Sequence, residues 1–343
     1  MAGRTEPAGG ATTVVLAAPP ALGPLLARGA LLSPFKRPGP LAAAPPTRVA
    51  LTGLRVEPTR LAAYERVCGF ATGGDALPVT YPHVLGFPLA VRLMSDRAFP
   101  LPLLGLVHTS ITLTRHTSLA VGGEYELTVH VDGLRPHRRG TEAVVVTELR
   151  DGGATVWEST STYLARHRTS ASTPAPPAAP TSPAAPASPA PPTSPAPPAP
   201  PAPPASSRPP QPPPHRPTPP QPPPHRPAPP QPPDRPTPPE PLPDLAAWRL
   251  ADDLGRRYGA VSGDRNPIHL HPLTARLFGF PRTVAHGMWT VARCLAAHGV
   301  PDAVHAHAEF RSPVLLPGTV RYAARDGRFA LRGADRLHLT GRI

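Results

Sequence analysis

The chain has 343 residues, 40% of them apolar, and a formal net charge of +13, which is enough sequence for about two domains with real cores. The charge does not mark a nucleic-acid surface: arginines are scattered, Lys36 is the lone lysine and no aromatic-interleaved basic stripe occurs, whereas phosphate binding calls for clustered cations. No uninterrupted apolar run reaches the ~20 residues that span a bilayer, so neither nucleic acid nor membrane is an expected partner.

Residues 1–59 read as an N-terminal extension and lead-in. Within them "TTVVLAAPPALGPLLARGALL" is the nearest approach to a secretion signal, but Glu6 precedes it and Pro19, Pro20 and Pro24 interrupt it, against the pattern such signals need. Cys68 and Cys294 have no metal-type CxxC spacing. A disulfide framework is therefore not expected, and a reducing cytoplasm is the simpler location.

Residues 60–168 form the first globular half. A helix is predicted from Tyr81 over "YPHVLGFPLAVRLMSD". The strands "LVHTSITLTRHTSL", "GEYELTVHVDGL", "GTEAVVVTELRDGG" and "TVWESTSTYLARH" follow, each alternating with β-branched residues between turn signals. Residues 169–243 then hold 37 of the 59 prolines and the repeated "PPQPPPHRP". With almost no large apolar side chains they read as a disordered polyproline spacer, either a docking ligand for a groove-type partner or a tolerated repeat expansion.

Residues 244–343 repeat the first plan. "RLADDLGRRYGAVSGD" echoes "RLAAYERVCGFATGGD", the helix "VAHGMWTVARCLAAHG" follows, and the short strands "VHAHAEFRSPVL", "GTVRYAARDG", "RFALRGA" and "RLHLTGRI" close the chain. One helix followed by an antiparallel meander, twice, predicts an α+β protein. The halves differ in one place: twenty-two positions separate Asp264 from His286, and eight separate Asp75 from His83. The additional segment, "RNPIHLHPLTARLFGFPRTVA", is where chemistry should be sought.

Pro267 stiffens this segment and biases Asn266 toward extended backbone. A tight turn there would bring Asp264 and His269 together. Such a carboxylate–imidazole pair can hold a water and move its protons at neutral pH; alternatively, Asp264 caps backbone amides in an Asx turn and His269 merely packs. A metal reading, with His269, His271 and Asp264 as ligands, finds no further acidic residue before Asp302, and neither a metal nor an organic cofactor is expected. Gly287, opening an apolar helix, leaves an amide that can receive a developing oxyanion.

"YGAVSGDRNPIHLHPLTARLFGFPRTVAHGM", residues 258–288, resembles the signature of MaoC-like, R-specific enoyl-thioester hydratases and dehydratases. That resemblance implies a hot dog fold, a long helix wrapped by an antiparallel sheet, and, through "YERVCGFATGG", "YPHVLGFPL" and "HRRGTEAVVV" in the first half, a double hot dog. It implies that Asp264 and His269 bracket the reacting water, that Asn266 orients them and that the Gly287 amide holds the thioester oxygen. Ser262, Arg282, His286 and Met288 are the implied substrate-binding residues. The first half lacks D-x-N-P-x-H and is expected to wall the acyl chain without catalysing. Implied partners are acyl-CoA or acyl-carrier-protein thioesters and, since the spacer could let halves pair between chains, a second copy in a homodimer. The competing reading is a non-catalytic acyl-thioester-binding scaffold. A thioesterase is disfavoured because "HGMWTVARCLAAHG" holds no acidic residue.

Overall fold

The computed structural model describes residues 3–5, 12–36, 44–167 and 241–343. The predicted spacer therefore lies outside the described residues, except for 241–243. In the first half, β1 (Gly3–Thr5) and β2 (Thr12–Leu16) lead to helix α1 (Leu22–Leu32) and then to β3 (Thr47–Arg55). Helix α2 (Pro58–Cys68) starts where the Glu57 carboxylate accepts from the Thr59 and Arg60 amides and stops at left-handed Gly69, a capping pair readable from the residue types. Helix α3 (Tyr81–Met94) precedes β4 (Leu106–Arg115), β5 (Glu124–His137), β6 (Gly140–Asp151) and β7 (Ala154–Arg166).

The second half has β8 (Asp244–Leu250), the helices α4 (Leu254–Ser262), α5 (Pro267–Leu270), α6 (Pro272–Leu277) and α7 (Gly287–His298), then β9 (Val304–Phe310), β10 (Gly318–Arg325), β11 (Arg328–Arg332) and β12 (Leu337–Arg342). All twelve strands join one sheet in the order β1-β2-β3-β5-β6-β7-β4-β9-β12-β11-β10-β8. Only β2 and β3 run parallel; the remaining pairs are antiparallel. Each half is thus a helix wrapped by an antiparallel meander, the expected double hot dog.

Four strands, β1 to β3 and β8, extend that expectation. The lead-in is part of the sheet, since β3 pairs with β5, and β8 caps the far edge against β10. The stretch weighed as a secretion signal is β2 and α1. No helix among the described residues is long and apolar enough to cross a membrane.

The halves meet inside this one chain where β4 pairs with β9, from Ser110 opposite Glu309 to Arg115 opposite Val304. Strand alternation gives β4 two different faces there. Ile111, Leu113 and Arg115 are buried. On the other face, Thr112 and Thr114 hydroxyls meet the Nδ1 atoms of His307 and His305 at 3.0 and 3.1 Å. Arg115, 5% exposed, donates to the carbonyls of Leu77 in one half and of Pro301 and Asp302 in the other, a clamp across the seam. Under α3, fully buried Trp157 donates its indole N–H to the Val79 carbonyl at 2.7 Å; truncating so large a core side chain costs ~3–5 kcal/mol in general.

Candidate active site

The site grows out of the segment between α4 and α7. Helix α4 lies directly beneath it: a Cβ on Gly255 would stand 2.0 Å from the His269 carbonyl oxygen, so no larger residue lets α4 approach so closely. At the end of α4, buried Ser262 accepts the Asp264 amide on its Oγ at 3.2 Å. Asp264 Oδ1 accepts the Asn266 amide at 3.1 Å, and Asn266 Oδ1 accepts the Ile268 amide at 3.4 Å. The carboxylate thus makes the Asx-type turn through one oxygen, while the other faces His286 at 3.9 Å.

Pro267 does what its ring dictates. Asn266 is extended (ψ 127°) and caps the four-residue helix α5, with Pro267 in its first turn. The expected tight turn is thus a single helical turn, and it carries His269 inward. His269 Nδ1 donates to the Val284 carbonyl at 2.6 Å, which fixes the tautomer and leaves Nε2 as the basic nitrogen. His271 is not part of the site: it is exposed and caps α6, its Nδ1 accepting the Leu273 amide. The suggested H-x-H pairing fails because helical turns, unlike a strand, put residues two apart on different faces.

His286 takes its place. Its ring stacks on His269 with centroids 3.7 Å apart, its Nε2 donates to the Asp264 carbonyl at 2.9 Å and it lies 3.9 Å from Asp264 Oδ2. Donor atoms of Asp264, His269 and His286 all lie within 4.8 Å of one another. This is a donor set a divalent ion can bridge, although each imidazole already spends one nitrogen on a backbone carbonyl. Burial pushes His269 below the ordinary imidazole range, against the opposing pull of Asp264 and its Val284 bond. Burial, and then His269 beside it, takes His286 down to about 3. Both rings are neutral at neutral pH, and His269 is a base there.

Gly287 opens α7 right after His286, whose side chain makes no cap bond, so the first-turn amides stay available to a ligand. A Cβ on Gly287 would fall 2.9 Å from Cε1 of Phe310; the glycine lets that ring close over the helix start. Met288 follows as a buried member of the core. Arg282 stands apart, exposed and donating to the Pro317 carbonyl at 2.8 Å. Sequence reasoning assigned no role to His83, His108 and Tyr163 of the first half. Phe310, whose ring closes over Gly287, tilts against His108 at 4.8 Å, and His108 stacks with His83 and Tyr163, which brings the first half to within one ring of the helix start. No spacing signal marks these residues, since His108 and Tyr163 sit among other polar residues of alternating strands and His83 is a single histidine in an apolar helix.

A family model described as a MaoC like domain matches residues 234–329. The 3-hydroxyacyl-thioester dehydratase X of Mycobacterium tuberculosis is 32% identical over 285 residues, 82% of this chain and 81% of that protein. The crystal structure of HtdX from M. tuberculosis superposes with a TM-score of 0.61 at 28% identity, covering 86% of this chain and 98% of that one. A MaoC-like dehydratase from Phytophthora capsici shares the fold, with a TM-score of 0.57 at 16% identity over 87% of this chain and 94% of its own. Similarity that runs through both halves, and not only through the half bearing the motif, makes this chain a member of the MaoC-like dehydratase family in its double hot dog form.

Proposed function

We propose that the chain is a hydro-lyase that interconverts trans-2-enoyl thioesters and (3R)-3-hydroxyacyl thioesters, carried on CoA or on acyl carrier protein. The observation that carries this reading is the convergence of Asp264 and neutral His269 beside the uncapped start of α7. In hydration, the pair takes a proton from water as its oxygen bonds the β-carbon. The π electrons move onto the thioester oxygen, where the Gly287 amide receives the enolate charge. A proton returned to the α-carbon restores the thioester. Dehydration is the same path reversed, and the pair titrates as one unit. Ser262 and Asn266 hold Asp264 and α5 in place, and His286 fixes the Asp264 backbone by donating its Nε2–H to that carbonyl. Met288 and Arg282 would flank the substrate at the helix start and at the rim.

In this reading residues 60–168 are the non-catalytic wall of the acyl pocket and residues 244–343 the catalytic half. The pairing of β4 with β9 within one chain supports this division of roles. The test is ultraviolet absorbance of the enoyl-thioester conjugation. It should fall on mixing the protein with crotonyl-CoA and rise from (3R)-3-hydroxybutyryl-CoA. If no enoyl thioester of any length is hydrated on either carrier, the reading is wrong.

A further inference from the structure

The pocket wall supplied by the first half is more polar than an alkyl chain requires. His83, on the first turn of α3, and His108, on β4, stack with ring centroids 6.0 Å apart. Tyr163, directly opposite His108 on β7, stacks on it at 4.5 Å, and Phe310 tilts against it at 4.8 Å. Since Phe310 is also the ring that closes over Gly287, this cluster begins one aromatic ring beyond the place where the thioester oxygen would sit.

Three observations make it a subsite. His83 Nδ1 and His108 Nε2 are enclosed and have no hydrogen-bond partner, whereas buried ring nitrogens in a finished core normally find one. His83, His108 and Tyr163 each keep part of their surface accessible although protein desolvates all three strongly. Both facts hold together for rings that keep only an edge accessible, with the two unpartnered nitrogens covered, so that a ligand meets them by displacing a neighbouring ring. The polar wall also continues along β7, where alternation puts Ser159 on the same face as Tyr163 and Trp157, and the Ser159 hydroxyl too is buried without a partner.

We propose that His83 and His108 form a polar subsite in the acyl pocket that selects thioesters whose chain carries a hydroxyl a few carbons beyond the double bond. The proposal rests on the hydro-lyase reading and names its substrate class. His108 already bonds the Ser110 backbone through the ring, which leaves Nε2 as a lone pair suited to accept from a hydroxyl. His83 Nδ1 offers a second contact to the same oxygen. A plain methylene chain would dry these nitrogens and give nothing back.

The experiment compares trans-2-octenoyl-CoA with its isomers hydroxylated at successive carbons from C5 to C8, using the full chain. One isomer should exceed the plain chain in kcat/KM by about tenfold or more, as hydrogen-bonded pockets discriminate. His108→Phe and His83→Leu should each reverse that order, lowering kcat/KM for the preferred isomer and raising it for the plain chain; because the plain chain gains, a folding defect cannot imitate the result. Hydration of the plain chain as fast as every hydroxylated isomer overturns the subsite alone, as does a hydroxyl preference that survives both substitutions. Failure to hydrate any of these thioesters overturns the hydro-lyase reading and the subsite with it.

Discussion

Helices α3 and α7 occupy corresponding places in the two halves, yet they begin in different ways. Helix α7 starts with His286, Gly287 and a run of free amides, after a segment long enough to fold α5 and α6. Helix α3 starts with Thr80, whose hydroxyl is bonded to Tyr64 at 2.7 Å, then buried Tyr81 and Pro82. Proline has no N–H to offer an oxyanion, and the first residue of α3 is a buried tyrosine whereas the first residue of α7 has no side chain. The frames are alike, and what differs is the loop that carries two reactive side chains and the helix start without a side chain, which in the proposed mechanism make the second half the catalytic one.

The largest effect should come from removing what the first half lacks. Asp264→Asn and His269→Ala should each cut turnover of crotonyl-CoA at least ~100-fold, the usual cost of losing an acid/base group. The double variant should be scarcely worse than either single one, because both act on one water. Near-normal turnover in either single variant would remove that residue from the mechanism. Giving α7 a side chain at its start is the next step down. Gly287→Ala pushes a Cβ into Phe310, and we expect about a tenfold fall in kcat with a smaller change in KM, because the amide acts most on the charged intermediate. A KM change alone would make Gly287 a packing residue.

Acidification should separate the halves more gently. The pKa of His269 is lowered by burial, so the active neutral form persists and the acid limb of kcat/KM should lie below the ordinary imidazole value near 6.5. For stability the sign is the same in both halves. His83, lowered to about 4, and His286, lowered to about 3, take up protons more readily when unfolded. Their contribution is full above pH ~6.5 and is lost as pH falls from there toward those values. Denaturant midpoints should therefore drop across that window, and His83→Leu should flatten the slope without moving the kinetic limb. A kinetic limb that shifts with His83→Leu would tie the first half to the proton chemistry itself.

The smallest effect concerns the connection between the halves. Six strand steps separate β7 from β8 in the sheet, about 29 Å at ~4.8 Å per step. Replacing residues 172–240 by a Gly/Ser segment of ~20 residues covers that with slack and should leave turnover within a few-fold. Bare deletion leaves only 167–171 and 241–243, whose reach of about 30 Å has almost none. Loss of activity with the Gly/Ser replacement would show that the proline-rich sequence itself matters.

The sequence by itself determined the plan of the molecule and its chemistry. Alternation marked β4 to β7 and β9 to β12, because period-2 burial is a local property. Pro267 after Asn266, and Gly287 before an apolar helix, announced their backbone roles because proline and glycine act on the chain directly. The strands β1 to β3 and β8 were not legible: "TRVALTGLR" and "DLAAWRL" take partners that lie far along the chain, β5 and β10. Tertiary structure alone decided that His286 and not His271 completes the cluster, since one helical turn at α5 rotates His271 into solvent. It alone brought His83, His108 and Tyr163 to the mouth of the other half's site, through the pairing of β4 with β9. Contacts between residues some two hundred positions apart are set by which faces can be buried together, and that is a property of the assembled sheet rather than of any window of sequence.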